Sequence, residues 1–439
     1  MNVFKAVLKH DVFPALGCTE PIAVAYAASN AGRLLHSEIT EVHITVDPGV
    51  YKNGFAVTVP NTGGEQGNLI AGVLGALIGQ PELKMEILKG VTEELLHRAH
   101  ALLRANRAHI ICDKSRKQLY IEVVVQAGSD QARAVIETTH THLVQLEHNS
   151  RPIPIPEDLA EGSDNGNYKL LLREMHLTDF IDLCRSMDDR DYDDIRQGIA
   201  MNMRIADAGK SLRKVGYYIS ELVSKGYRVD DVFSSCEVLT TSAADARMAG
   251  LNLPVMSSGG SGNQGIVAVL VPYLVGRHYR IEEKTILQSI ALSHLVNSYI
   301  KCFTGELSPL CGCAIAAGVG AAAAIVYQQA GSDMAKITLA VNSLISDLGG
   351  MLCDGAKSGC ALKVATSTSS AIRSAYMALN GHGISDTEGF VGNTAEETIQ
   401  NLSSISKLGM SLVDDTMLQI MIEKVSRRGI PEVECGGRS

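Results

Sequence analysis

The sequence predicts an α+β protein, in which a large Ala/Gly-rich helical domain carries a small α/β sandwich inserted near its N-terminus. β-Branched residues alternate over short runs before residue 150, whereas long apolar stretches rich in Ala and Gly dominate after 170. Between them lies "RPIPIPEDLAEGSDNGNYK", a Pro-rich polar segment with the composition of a linker. With 439 residues, 46% of them hydrophobic, the chain can bury a sizeable core.

Residues 1–80 read as the first part of the catalytic domain. A helix over 20–35 ("EPIAVAYAASNAGRLL") follows a loop carrying Cys18. Two strands are expected around a turn in 41–64, because β-branched residues flank Asp-Pro-Gly and Lys-Asn-Gly. A Gly/Ala-rich helix, "GNLIAGVLGALIG", comes next. Residues 81–150 read as the inserted sandwich: strand 84–88, helix 90–105, strands 107–113 and 118–126 joined by a "SRKQ" hairpin turn, helix 129–142 and strand 143–148. The linker takes 151–169. The rest, 170–439, reads as helix broken by Gly-rich loops at 257–265, 348–360 and 380–395, and no solenoid repeat is evident.

Composition excludes several functions. The formal net charge is −9, from 39 basic and 48 acidic residues that are well mixed, so no basic block offers a grip on nucleic acid. Aromatic residues make up 5% and Trp is absent, which argues against base stacking. The N-terminus lacks the pattern of a secretion signal, and ten cysteines in such a chain are expected to stay reduced in a cytosol. The uncharged stretch Leu310 to Tyr327 approaches bilayer-spanning length, but its Ala, Gly and Cys suit a buried helix with close neighbours better than a membrane.

Three stretches carry candidate chemistry. The first is a cysteine set: Cys311 and Cys313 in "SPLCGCAIAAG", with Cys353 and Cys360 in "LCDGAKSGCALK". Paired C-x-x-C spacing for a closed zinc site is absent, and separated loop thiolates suit an iron–sulfur cluster with one iron left open. Spacing alone still favours small buried fillers, the reading given to Cys112, Cys184 and Cys236. The second is "VMSSGGSGNQGI" (255–266). Its outward N–H groups ahead of a helix make either an anion site or a plain flexible turn, and it matches no nucleotide-binding loop. The third is "PALGCTEP" (14–21), where Cys18 opens a helix. Backbone dipoles there would stabilise a thiolate, while a well-capped helix start with an idle Cys18 explains the stretch equally well.

Taken together, "LGCTEP", "SSGGSGNQG", "TGELSPLCGCAIAAG" and "CDGAKSGCALK" resemble the L-cysteine desulfidase family, which is related to the iron–sulfur L-serine dehydratases. The resemblance implies a [4Fe–4S] cluster held by Cys353, Cys360 and Cys311, with Cys313 competing for the third place. It implies Cys18 as the catalytic base and places the substrate carboxylate on the loop of Ser257, Ser258, Gly259 and Asn263. The implied reaction is β-elimination from L-cysteine to sulfide, ammonia and pyruvate without pyridoxal phosphate. L-serine is the alternative substrate, and a non-catalytic metal or redox sensor is the reading from another class. Lys357 and Lys363, flanking Cys360, are candidates to balance the cluster's charge. Cys302 and Cys435 have no assigned role; the dehydratases end in a cysteine, whereas this chain ends "PEVECGGRS". The expected partner is a small amino acid, a homodimer is left open, and neither nucleic acid nor membrane is expected.

Overall fold

The computed structural model describes residues 2–155, 165–305 and 307–426. Helix α1 (Val3–Asp11) and the two-residue strand β1 (Pro14–Ala15) lead into α2 (Thr19–Gly32), whose residues are all buried. Then follow β2 (Glu41–Val46), α3 (Pro48–Gly54), α4 (Asn68–Ile78), a 3-10 segment (Pro81–Gly90) and α5 (Glu93–Arg104). The strands β3 (Ala108–Cys112), β4 (Tyr120–Ala127), β5 (Asp130–Glu137), β6 (Leu143–His148) and β7 (Arg151–Pro152) come next. The helical part holds α6 (Asn165–Glu174), α7 (Leu177–Arg185), α8 (Asp189–Gly209), α9 (Val215–Ser224) and α10 (Val232–Met248). After the short β8 (Val255–Met256) it continues through α11 (Gly262–His278), α12 (Glu283–Thr304), α13 (Ala316–Ala330), α14 (Met334–Leu348), α15 (Cys360–Leu379), α16 (Ala395–Ser404) and α17 (Val413–Ser426).

The main sheet has the order β3-β2-β4-β5-β6-β7, with β2 and β3 parallel and the other pairs antiparallel. Alternation along β2 and β4 turns Val42, Ile44, Ile121, Val123 and Val125 to a buried face, where they share a core with α2 and α4. Helices α2 and α4 approach closely because glycine removes a side chain at the crossing. A Cβ at Gly75 would stand 2.1 Å from the carbonyl oxygen of Ala25. Residues 22–80 thus pack into the same core as 81–146.

The elements depart from expectation at four places. Asp-Pro-Gly at 47–49 is a helix start and not a turn between strands: Asp47 Oδ1 accepts from the N–H of Gly49 at 2.7 Å and of Val50 at 3.2 Å, with Pro48 in the first turn of α3. The expected strand 84–88 lies in the 3-10 segment. The expected helix 129–142 is instead β5, whose Ala132, Ala134 and Ile136 are buried between two partner strands. The "SRKQ" segment does not close a hairpin, because β2 lies between β3 and β4.

The second core belongs to the helices and to α1. Small residues act here as expected. Helix α13 lies against α12 so closely that a Cβ at Gly320 would meet the Ser293 carbonyl oxygen at 2.6 Å. Among the described residues, no helix is long and apolar enough to cross a membrane. Of the expected linker 151–169, residues 156–164 lie outside the described residues, while Arg151–Pro152 form β7 and α6 begins at Asn165; Cys435 also lies outside the described residues. Cys112, Cys184 and Cys236 are buried apolar fillers, as expected.

Candidate active site

The two-residue ladder of β1 with β8 brings the N-terminal motif to the glycine loop: Pro14 pairs with Met256 and Ala15 with Val255. Ser257 extends the junction, its N–H donating to the Phe13 carbonyl at 2.9 Å and its hydroxyl to the Asp11 carbonyl at 3.0 Å. A second junction joins the cysteine loops. Cys311 N–H donates to Met351 O at 2.9 Å, and Cys353 N–H to Pro309 O at 2.7 Å. These junctions converge on one cavity of about 100 Å³.

Four thiols of the cysteine loops line that cavity: Cys311, Cys313, Cys353 and Cys360. Cys360 is the first residue of α15. The Cys313 thiol donates to Cys311, which lowers the Cys311 pKa against the opposing effect of burial, and Lys363 helps to hold the negative charge. That hydrogen bond and burial raise Cys313 in turn. Burial, then the charge of the neighbouring thiols, pushes Cys360 up to about 11. The Cys353 and Cys360 sulfurs make only long contacts, 3.8 Å to Asn53 Oδ1 and 3.7 Å to Gly355 O. Among the described residues, no group of three or more His, Cys, Asp or Glu is already drawn together at metal-binding distances. The donor chemistry nevertheless fits an iron–sulfur group: soft sulfurs from two loops face one space, with a lysine at hand. Lys363 donates to Leu352 O at 2.7 Å and Asp354 Oδ1 at 2.6 Å beside the thiols, whereas Lys357 pairs with Asp354 and is more exposed.

Cys18 lines the same cavity and is 4% exposed. The expectation of a thiolate favoured by the helix N-terminus does not hold. Burial and the charge of Glu20 raise this thiol well above the ordinary cysteine range, outweighing Arg247. It rests protonated, donating to Glu20 Oε2 at 2.9 Å. Burial pushes Glu20 up, but His140, the Cys18 thiol and the backbone together pull it down to about 2. His140, from the turn between β5 and β6, places Nε2 3.8 Å from Glu20 Oε1, and Asn53 Nδ2 donates to the same oxygen at 3.3 Å.

The glycine loop divides sharply. Ser257, Ser258 and Gly259 do not line the cavity. The Ser258 hydroxyl lies 2.8 Å from His294 Nδ1 and accepts from Asn297 Nδ2 at 2.9 Å, while the Gly259 carbonyl accepts from Lys301. Burial holds His294 down to about 3, so its ring is neutral. Facing the cavity instead are Gly260, Ser261, Asn263 and Gln264, where α11 starts without a side-chain cap. The sequence reading missed Arg247, His140 and Gln264. For Arg247 a signal existed, since a lone arginine in the small-residue run "TTSAADARMAG" belongs to a buried face.

Comparison with known proteins decides the family. The sequence pattern described as serine dehydratase alpha chain matches residues 82–419, most of the chain. The chain belongs to this serine dehydratase family. A UPF0597 protein of Geobacter sulfurreducens is 61% identical over 97% of this chain and 99% of its own length. Another from Elusimicrobium minutum is 51% identical over 97% of this chain and 100% of its own, and one from Alkaliphilus oremlandii is 40% identical over 96% and 98%. No solved structure matches the chain. The kinship with iron–sulfur serine dehydratases that the four motifs implied therefore holds at the level of the family.

Proposed function

We propose that this member of the family is a lyase that eliminates sulfide from L-cysteine, leaving aminoacrylate that hydrolyses to pyruvate and ammonia. The observation that carries the reading is a single cavity lined by Cys311, Cys353 and Cys360, by the Cys18–Glu20 pair and by the uncapped start of α11. Cys311, Cys353 and Cys360 would hold a [4Fe–4S] cluster, which when bound supplies a Lewis acid with affinity for a soft sulfur leaving group.

The protein's own groups supply the rest. The N–H groups that open α11 stabilise negative charge as it develops on the substrate carboxylate. Cys18, once its own proton has been lost to solvent, takes the Cα proton as a thiolate. Because burial and Glu20 raise the thiol's pKa, the thiolate is a strong base but a scarce one. Activity should therefore climb with pH through the alkaline range, since the reactive form is the deprotonated one. The proton that Cys18 takes from Cα is then held in the same cavity, available to the departing sulfide.

The test is anaerobic purification followed by assay. About four irons and four sulfides per chain, with sulfide and pyruvate released together from L-cysteine, are expected. An iron-free protein that still eliminates sulfide would sink the proposal. The family description favours L-serine as a second reading, because the same site would serve an oxygen leaving group. A higher kcat/KM for L-serine on the same preparation would replace cysteine with serine.

A further inference from the structure

Lys52, near the end of α3, is 1% exposed, yet it does not line the cavity. Its Nζ donates to Asp414 Oδ1 at 2.6 Å. Asp414 stands in the first turn of α17, and its side chain is 31% exposed. Helix α17 already docks without this pair, because Leu418 is fully buried in one core with Val50 and Tyr51 of α3. Exchanging a buried ion pair for apolar side chains of similar size is often neutral or stabilising. Stability alone therefore gives no reason to sink an ammonium here.

Its position does. The loop 353–356 rests on the last turn of α3: Ala356 N–H donates to Asn53 O at 3.2 Å, and Asn53 Oδ1 lies 3.8 Å from Cys353 Sγ. A Cβ at Gly355 would stand 2.4 Å from Lys52 O, and φ there is +89°, so glycine is what lets the loop lie this close. Burial raises the Cys353 thiol, and the charge of Lys52 pulls against it. Screening favours the cation of the pair. The ammonium is dry, whereas water reaches Asp414 and weakens its field. Lys363, on the other side of the loop, is wetter at 19% exposed and is bonded to Leu352 O and Asp354.

We infer that Lys52 is the fixed counter-charge of the cluster proposed at Cys311, Cys353 and Cys360, with Asp414 setting its strength from α17. This rests on the cluster reading and adds a control on it. An iron–sulfur group held by thiolates is anionic, and its reduction potential follows the charge around it. A cation lodged behind Cys353 favours the more reduced forms and so protects the group against oxidative loss. The C-terminal helix thereby tunes a cavity that none of its described residues lines.

The experiment is anaerobic spectroelectrochemical titration of the holoprotein and its folded variants, with iron counted first and bleaching in air timed afterwards. Lys52→Met should move the reduction equilibrium about tenfold towards the oxidised cluster, about 59 mV for one electron, and bleach faster. Asp414→Asn, which keeps an oxygen for the ammonium, should move it the opposite way by a smaller factor and bleach more slowly. A pair that merely joined two helices would move both variants in one direction. Should Lys52→Met fail to fold or lose its iron, Lys52→Gln, uncharged but able to bond Asp414, takes its place with the same expectation. Shifts of one sign in both variants, or no shift in a Lys52 variant that keeps its iron, overturn the inference and leave the lyase proposal standing. Iron-free wild type overturns both. Opposite shifts in a protein that releases no sulfide from L-cysteine uphold the counter-charge and refute the elimination alone.

Discussion

The two loops that frame the cavity, 257–261 and 352–360, are built in opposite ways. In the first, the side chains do the holding: Ser257 ties the loop to Asp11 and Phe13, and Ser258 to His294 and Asn297. In the second, the bridge of Leu310 with Leu352 and the bonds of Lys363 to Leu352 O and Asp354 do it, and the sulfurs of Cys353 and Cys360 are left with contacts at 3.8 and 3.7 Å. The serines look like ligand groups and serve as scaffold. The cysteines look like fillers and remain available. A side chain's freedom, more than its type, marks it as functional.

The contrast is broken most severely at the cysteines. Cys353→Ser and Cys360→Ser should each lose iron, the cluster's visible absorbance and all measurable turnover, because no other group in the loop replaces the sulfur. Cys311→Ser should do the same and Cys313→Ser should not, which tests Cys311 as the third ligand. The reverse result would exchange their roles. Next in size, Cys18→Ala should keep its iron and lose about 10²- to 10⁴-fold in kcat, the usual contribution of a general base. Loss of iron would make Cys18 a ligand instead.

Smaller effects should appear in stability. Glu20 falls from 4.5 to about 2 in the folded protein. A carboxylate depressed in this way adds stability above its unfolded value and loses it as pH falls towards the folded one. Denaturation curves at about pH 6 and about pH 3 should differ by about 2 kcal/mol more in wild type than in Glu20→Gln. Smallest, Ser258→Ala leaves Asn297 and His294 without their buried partner and should cost about 1–3 kcal/mol with iron retained. If that variant instead loses affinity for substrate at unchanged stability, the serine is a ligand group and the contrast fails.

How far the sequence could be read follows from where the information lies. The cysteine loops, "PALGCTEP" and the start of α11 were legible because Gly, Pro and Cys cluster where chain and chemistry are both constrained. Strand β5 was not. Its Gln, Ala, Arg and Glu suit a helix, and only pairing with β4 and β6 makes the run extended. The place of β2 between β3 and β4 is likewise a property of partners distant in sequence. His140 was missed for the same reason, since nothing local says that "TTHTH" turns inward. The division of the serine loop, with Ser257 and Ser258 structural and Asn263 facing the cavity, depended on which strand and helix arrived beside it.

The pairing of Pro14–Ala15 with Val255–Met256 also dictates when the site can exist. During synthesis the N-terminal motif must wait for its partner strand, and the cysteine loops emerge later still. Such distant contacts close late in folding. Iron delivered to a growing chain would meet scattered thiols, each in a different half-built element. Only a chain grown past Cys360 presents them on one wall, so the candidate site waits for most of the sequence to be made.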